Sequence, residues 1–258
     1  MALYVYGIMR AGDARRAVAA VHEAQSRPLD AVEASGICAL VSPTPEAEPR
    51  LRRENVLAHS DVLQAAFEHG PVLPFRFGTV VTDAETAVRE IISPDAERLG
   101  QRLDALDGRG EMQVKATYAE ESLLRSILSE DPGLTRLVSR TQSLPAAATH
   151  FERIRIGEAI AAAVQSRRAV DQDALMRPLL PLSIAHVASS PQGERGVLNA
   201  AFLVDLGGLG EFDEAVEDLA RKHGAEIEFK LIGPLPAYSF ADRDWQPVAR
   251  ARVEAGWA

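Results

Sequence analysis

A single cysteine, Cys38, stands in the whole sequence. No disulfide can form within the chain, which suits a reducing compartment. Cys38 lies in the apolar run "GICALV" and reads as a small buried hydrophobe. Lysine is also scarce: Lys115, Lys222 and Lys230 are the only three. The rest of the positive charge is arginine. Arginine makes the better bidentate pair with a carboxylate, although its use in place of lysine needs no functional cause. No stretch approaches the ~20 apolar residues of a membrane span. The opening "MALYVYGIMR" has neither the basic region nor the long apolar core of a signal peptide, so a cytoplasmic protein is expected. With 37 acidic residues against 28 basic ones the net charge is −9. That balance argues against a general nucleic-acid binder, whose phosphate contacts need a basic footprint.

The motifs of common chemistries are missing too. Six histidines are present, but none pairs with another at metal-ligand spacing, and there is no H-E-x-x-H and no cysteine cluster. No G-x-S-x-G occurs. "GGLG" (Gly207 to Gly210) follows a strand-like run but lacks the ending of a phosphate loop, so it reads as a turn. The acidic pairs Glu120–Glu121 and Glu152–Glu158 fall on helical segments as solvated groups. The sequence therefore predicts no catalytic residue, no metal and no cofactor.

What is present is a folded chain of ordinary composition. Hydrophobic residues make up 47% and charged residues 25% of its 258 residues. A chain of this length buries roughly 70–75% of its unfolded surface and needs no staple. Leu3 to Met9 predicts a strand, Gly12 to Gln25 a helix, and Gly36 to Ser42 a second strand. "SPTPEAEP" is a proline-rich loop. Arg50 to His69 predicts a helix with Val56, Leu63 and Phe67 near one face, ended by Gly70 and Pro71. In "GPVLPFRFGTVV" Pro74 cannot donate to a sheet ladder, so the strand is expected from Phe75. Thr82 and Glu85 fit a capping box. Ala84, Ala87, Val88, Ile91 and Ile92 follow as one helical stripe. "EMQVKATY" alternates, with Met112, Val114, Ala116 and Tyr118 inward and Glu111, Gln113, Lys115 and Thr117 outward.

The second half repeats the pattern. Ile156, Ala159, Ile160, Ala163 and Val164 form a helical stripe, "LSIAHVAS" and "VLNAAFLVD" are strand-like, and Phe212 to Ala220 carry another stripe. "EIEFKLI" alternates again. Each half contains helix, strand, helix and strand in that order, and the first, with its N-terminal strand, is close to a βαββαβ unit, with Arg50 to His69 as an extra helix. The expected fold is α+β: two ferredoxin-like domains, 1–118 and 119–240, joined by a helical segment, with an irregular tail at 241–258.

Several stretches together resemble the gas vesicle protein L/F family: "LYVYGI", "GPVLPFRFGTVV", "GRGEMQVKA", "LNAAFLVD" and "GPLPAYSFA". They occur in the family's order from Leu3 to Ala241. The resemblance implies an accessory role in building gas vesicles. It implies binding to the hydrophobic major shell protein and to other accessory proteins, in the cytoplasm or at the vesicle, and no enzymatic activity. Expected partner-binding residues are Arg76, Lys115, Pro234, Pro236, Tyr238, Phe240 and Trp245. Arg76 would either pair with a nearby carboxylate or meet a partner on the sheet face that carries Gln113 and Lys115. Tyr238 and Phe240 would either pack inward or present a partner surface, and Trp245 and Trp257 lie in a polar tail. The binding surface would be a sheet face, a groove between the domains, or this tail. A different reading is an α+β barrel that holds haem or a small substrate, with His186 as the pocket histidine.

Overall fold

The computed structural model describes residues 1–25, 28–45, 50–142, 144–145 and 149–241. The chain divides into two compact units. The first comprises Met1–Met112, Leu203–Gly207 and Gly233–Ala258; the second comprises Gln113–Phe202 and Gly208–Ile232.

The first unit is built on β1 (Leu3–Arg10), α1 (Ala11–Gln25), β2 (Asp30–Ala34), β3 (Ile37–Pro43), α2 (Arg53–Phe67), β4 (Leu73–Pro74) and β5 (Val80–Val81). The strand order is β2-β3-β1-β4, with β5 also on β1, and all pairs are antiparallel. This is the βαββαβ plan. It differs from expectation in that α2 is the plan's own second helix. The added elements are α3 (Ala84–Thr86), which continues as a π-helical stretch over Ala87–Ile92, and α4 (Ala96–Leu106).

Strand β2, "DAVEA", has little strand propensity and was not expected. It forms because Ser35 and Gly36 both adopt positive φ, 52° and 74°. That is the turn that folds two strands into a tight hairpin, and it sets Ala34 against Ile37. Strand β1 is apolar almost throughout because helices cover both its faces. Tyr4, Tyr6 and Met9 join Ala14, Ala17 and Val21 of α1 and Val62, Leu63 and Ala66 of α2 in one core. Val5 and Ile8 are buried too, on the alternate positions, while α4 contacts β1 and β3. Cys38 is buried in this sheet. Burial, and then Glu33, pushes its thiol up to about 11 against the pull of Arg15, so it stays a protonated, inert filler.

Three local expectations change. The helix after β5 is capped by Asp83, whose carboxylate accepts the Thr86 N–H at 2.8 Å, and not by a Thr82–Glu85 box. Its stripe is interrupted because Ser93 N–H bonds back to Val88 O at 2.8 Å, five residues away. Ala87 and Ile92 are buried while Ala84 is exposed. In α2 the buried residues are His59, Val62, Leu63 and Ala66, whereas Val56 is exposed.

The second sheet has the order β7-β8-β6-β9, from β6 (Arg109–Tyr118), β7 (Ala185–Ala188), β8 (Gly196–Asp205) and β9 (Ile227–Leu235). Between β6 and β7 run α5 (Glu120–Glu130), α6 (Pro132–Gln142) and α7 (His150–Leu179). Helix α8 (Leu209–His223) precedes β9. The same βαββαβ order therefore recurs, and β6 opens it. In the second unit Phe202 and Phe212 pack with ring centroids 5.3 Å apart, and Tyr118, Leu175 and Leu179 are buried as well. Arg167 of α7 ties this unit together. Its guanidinium meets Ser126 and Glu130 of α5, Asp171 of α7 and Glu226 ahead of β9, while Asp171 accepts the Tyr118 hydroxyl at 2.7 Å. Among the described residues no helix is long and apolar enough to cross a membrane.

Candidate functional site

The stretch "PFRFGT" is not a continuous strand. Strand β4 ends at Pro74, a turn follows, and β5 resumes at Val80. Phe75 N–H still reaches Tyr6 O at 2.8 Å, and Val5 N–H reaches Thr79 O at 2.9 Å, so the turn rides on β1. Thr79 closes it, its hydroxyl and its N–H both donating to Arg76 O. His59 of α2 holds the turn from the other side. Its Nε2 lies 3.2 Å from Phe75 O. A carbonyl only accepts, so Nε2 carries the proton and Nδ1 accepts the Tyr4 hydroxyl at 2.9 Å. That hydroxyl in turn accepts Gly78 N–H at 3.2 Å. Tyr6 stacks on the imidazole and Phe77 meets it edge-on. Phe77 is half-buried against the core, and Arg76 points to solvent from the tip.

His59, on the helix predicted over Arg50 to His69, is thus buried and neutral. Burial pushes its pKa below the usual 6.5, opposed by its bond to Phe75 O. The unfolded imidazole titrates near 6.5 and the folded one lower. Below 6.5 the unfolded chain takes up more protons, so stability is complete above that value and falls as pH drops through it. We expect the thermal midpoint to decline more steeply between pH 7.5 and 5.5 in the wild type than in His59→Phe, which cannot titrate there. Equal slopes in the two melting series would remove His59 from this role.

The sequence-predicted residues fall on different elements. Arg76 is exposed on the first unit's turn, whereas Lys115 is half-buried on β6 of the second sheet, so the two do not share a sheet face. Pro236 and Phe240 are buried, Phe240 to 1% exposure. Tyr238 packs against the first unit's core, and Pro234 O accepts Gln64 Nε2 at 3.2 Å. The "GPLPAYSF" segment therefore packs inward. It is held by Glu111, which alternation placed outward but which is fully buried. The Glu111 carboxyl accepts Ser239 N–H at 2.6 Å and the Ser239 hydroxyl at 3.0 Å. Trp245 and Trp257 lie outside the described residues. His186 is exposed on β7 and does not line the cleft described next.

Sequence reading missed this cleft. It lies within the second unit, has a volume of about 930 Å³, and is walled by α5, α7, Thr117 of β6 and the loop at Gln192–Arg195. Leu123, Leu124, Ile160 and Val164 supply its apolar wall, and Glu120, Gln165, Arg168, Glu194 and Arg195 its polar one. The α7 stripe explains why it is open. Ile156, Ile160, Ala163 and Val164 are only half-covered and Ala159 is exposed. Phe151 at the start of the same helix is 78% exposed and Ile154 is 45% exposed. The signal in the sequence was a helix with an apolar stripe and too few elements around it to bury that stripe. Among the described residues no three His, Cys, Asp or Glu side chains converge as a metal centre would require.

The fold is a duplicated α+β body, and an apolar-walled, helix-flanked cleft opens in its second unit. The family model described as "Gas vesicle synthesis protein GvpL/GvpF" matches residues 2–242. The chain is 32% identical over 244 residues to gas vesicle protein F of a Streptomyces species, covering 94% of this chain and 100% of that one. It is 27% identical over 220 residues to gas vesicle protein F of Dolichospermum flosaquae, covering 84% and 89%. The crystal structure of the gas vesicle protein GvpF from an Anabaena species superposes with a TM-score of 0.74 at 25% identity, over 95% of this chain and 97% of that one. The chain belongs to the GvpL/GvpF family, whose members are structural and assembly proteins of gas vesicles. Its role is in gas vesicle formation.

Proposed function

We propose that this protein binds the hydrophobic major shell protein, and other accessory proteins, while the vesicle is assembled. The observation that supports this is the half-covered apolar stripe of α7, an uncovered surface on a chain that has apolar residues enough to build two complete cores. A large exposed apolar patch drives association. Covering the shell subunit's own apolar face lowers its free concentration and limits aggregation before delivery. The work is done in the cytoplasm and at the growing vesicle. Arg76, exposed at the tip of a turn held rigid by His59 and Tyr4, adds a polar contact.

Co-expression with a tagged major shell protein tests the reading. The expected result is recovery of this protein with the shell protein, and its removal from intact vesicles by a wash that leaves the shell whole. Absence from the tagged fraction would refute shell binding. Retention after washing would make the protein a minor component of the finished shell.

A further inference from the structure

We propose that the cleft between α5 and α7 receives an amphipathic α-helix of the partner, apolar on the face it buries and bearing a carboxyl group at its edge. This rests on the binding reading above and names the site and the element bound. The size fits. A cleft of about 930 Å³ that is open on one side is of the order needed to seat about two turns of an α-helix about 10 Å across. The wall fits as well, since Leu124, Ile160 and Val164 are half-buried and gain cover from an apolar face laid along them.

Two further observations point to an occupant. Gly157 sits in the interior of α7, and a Cβ built there meets nothing within 4 Å. Glycine weakens a helix interior relative to alanine, yet nothing in this chain requires the missing side chain. Gly157 and Ala161 are one turn apart on the same face of α7 and both line the cleft. They leave room for another backbone to come close. The second observation is Arg168. Its Nη2 donates to Glu194 O, but its Nε is buried and has no acceptor. A buried donor left unmet is costly, and a carboxylate on the incoming helix brings a charge-assisted acceptor to the Arg168 and Arg195 guanidiniums that line the cleft. Glu120 and Glu194 also line the cleft. They disfavour a helix acidic along its whole length and select one whose carboxyl falls beside Arg168.

The test uses the full chain co-expressed with the major shell protein and compares wild type with Gly157→Leu and Ala161→Arg. Position 157 faces open space and Ala161 is exposed, so both variants keep the fold. We expect shell protein recovery to fall about tenfold or more, with the thermal midpoint unchanged or raised in Gly157→Leu. A photo-crosslinking residue placed at position 161 should capture the shell protein. If the wild type binds and both variants bind equally well, the cleft is not the site, although the function stands. If the crosslink at 161 instead captures a second copy of this chain, the face is a self-association surface and the inference fails. If the wild type does not bind the shell protein at all, the functional reading falls and takes this inference with it.

Discussion

Replacing Glu111 by alanine is expected to cost about 3–5 kcal/mol of stability, since two hydrogen bonds to a charged group, at about 1.5–3 kcal/mol each, are lost together. Glu111 is fully buried at the start of β6, and its carboxyl accepts both the N–H and the hydroxyl of Ser239. Truncation leaves both Ser239 donors without their acceptor. Burial also rules out simple repair. Glu111→Leu would fill the space but leave the Ser239 N–H unmet, and Ser239→Ala alone removes one bond at a cost of about 1 kcal/mol. At about 2–4 °C per kcal/mol for a chain of this size, the midpoint of Glu111→Ala should fall by about 10 °C. Thermal melts followed by circular dichroism decide the matter. A drop within 2 °C would show that the "GPLPAYSF" segment is held without the Glu111 bonds.

Gly7→Ala should be nearly as damaging, at about 3 kcal/mol. A Cβ on Gly7 would lie 2.7 Å from Leu73 O, 3.0 Å from Leu63 Cδ2 and 3.1 Å from Val72 Cγ2. The first of these is backbone and cannot rotate away. Relief requires β4 to leave β1, which breaks the Gly7–Pro74 register and the Phe75 N–H bond to Tyr6 O. The damage then spreads to the turn, because His59 holds Phe75 O and Tyr4 holds Gly78 N–H. Faster amide exchange at Phe75 and Gly78, together with the lower melting point, is the expected result. Unchanged exchange at both amides would mean that the strand yields without loosening the turn.

The candidate site was much less legible than the fold. Helices α1, α2 and α8 and strands β1, β3 and β9 could be read because periodicity is local: it depends only on which residues recur along a few turns or pleats. The cleft could not be read in this way. It depends on how little of the α7 stripe its neighbours cover, and coverage is a property of elements distant in the chain. The same holds for "PFRFGT". Its composition suggests a strand, but the turn exists because His59, 16 residues earlier, and Tyr4, 74 residues earlier, bond its backbone.

By itself the sequence established a cysteine-poor, acidic α+β chain whose halves repeat the order helix, strand, helix, strand, and its ordered stretches identified the gas vesicle L/F resemblance. Tertiary structure alone decided that β6 opens the second sheet, that α2 completes the first, and that Glu111 and His59 are interior residues. Alternation says which way a side chain points from its strand, not what lies on that side. For Glu111 the covering residue is Ser239, 128 positions away, and only the closed fold brings the two together.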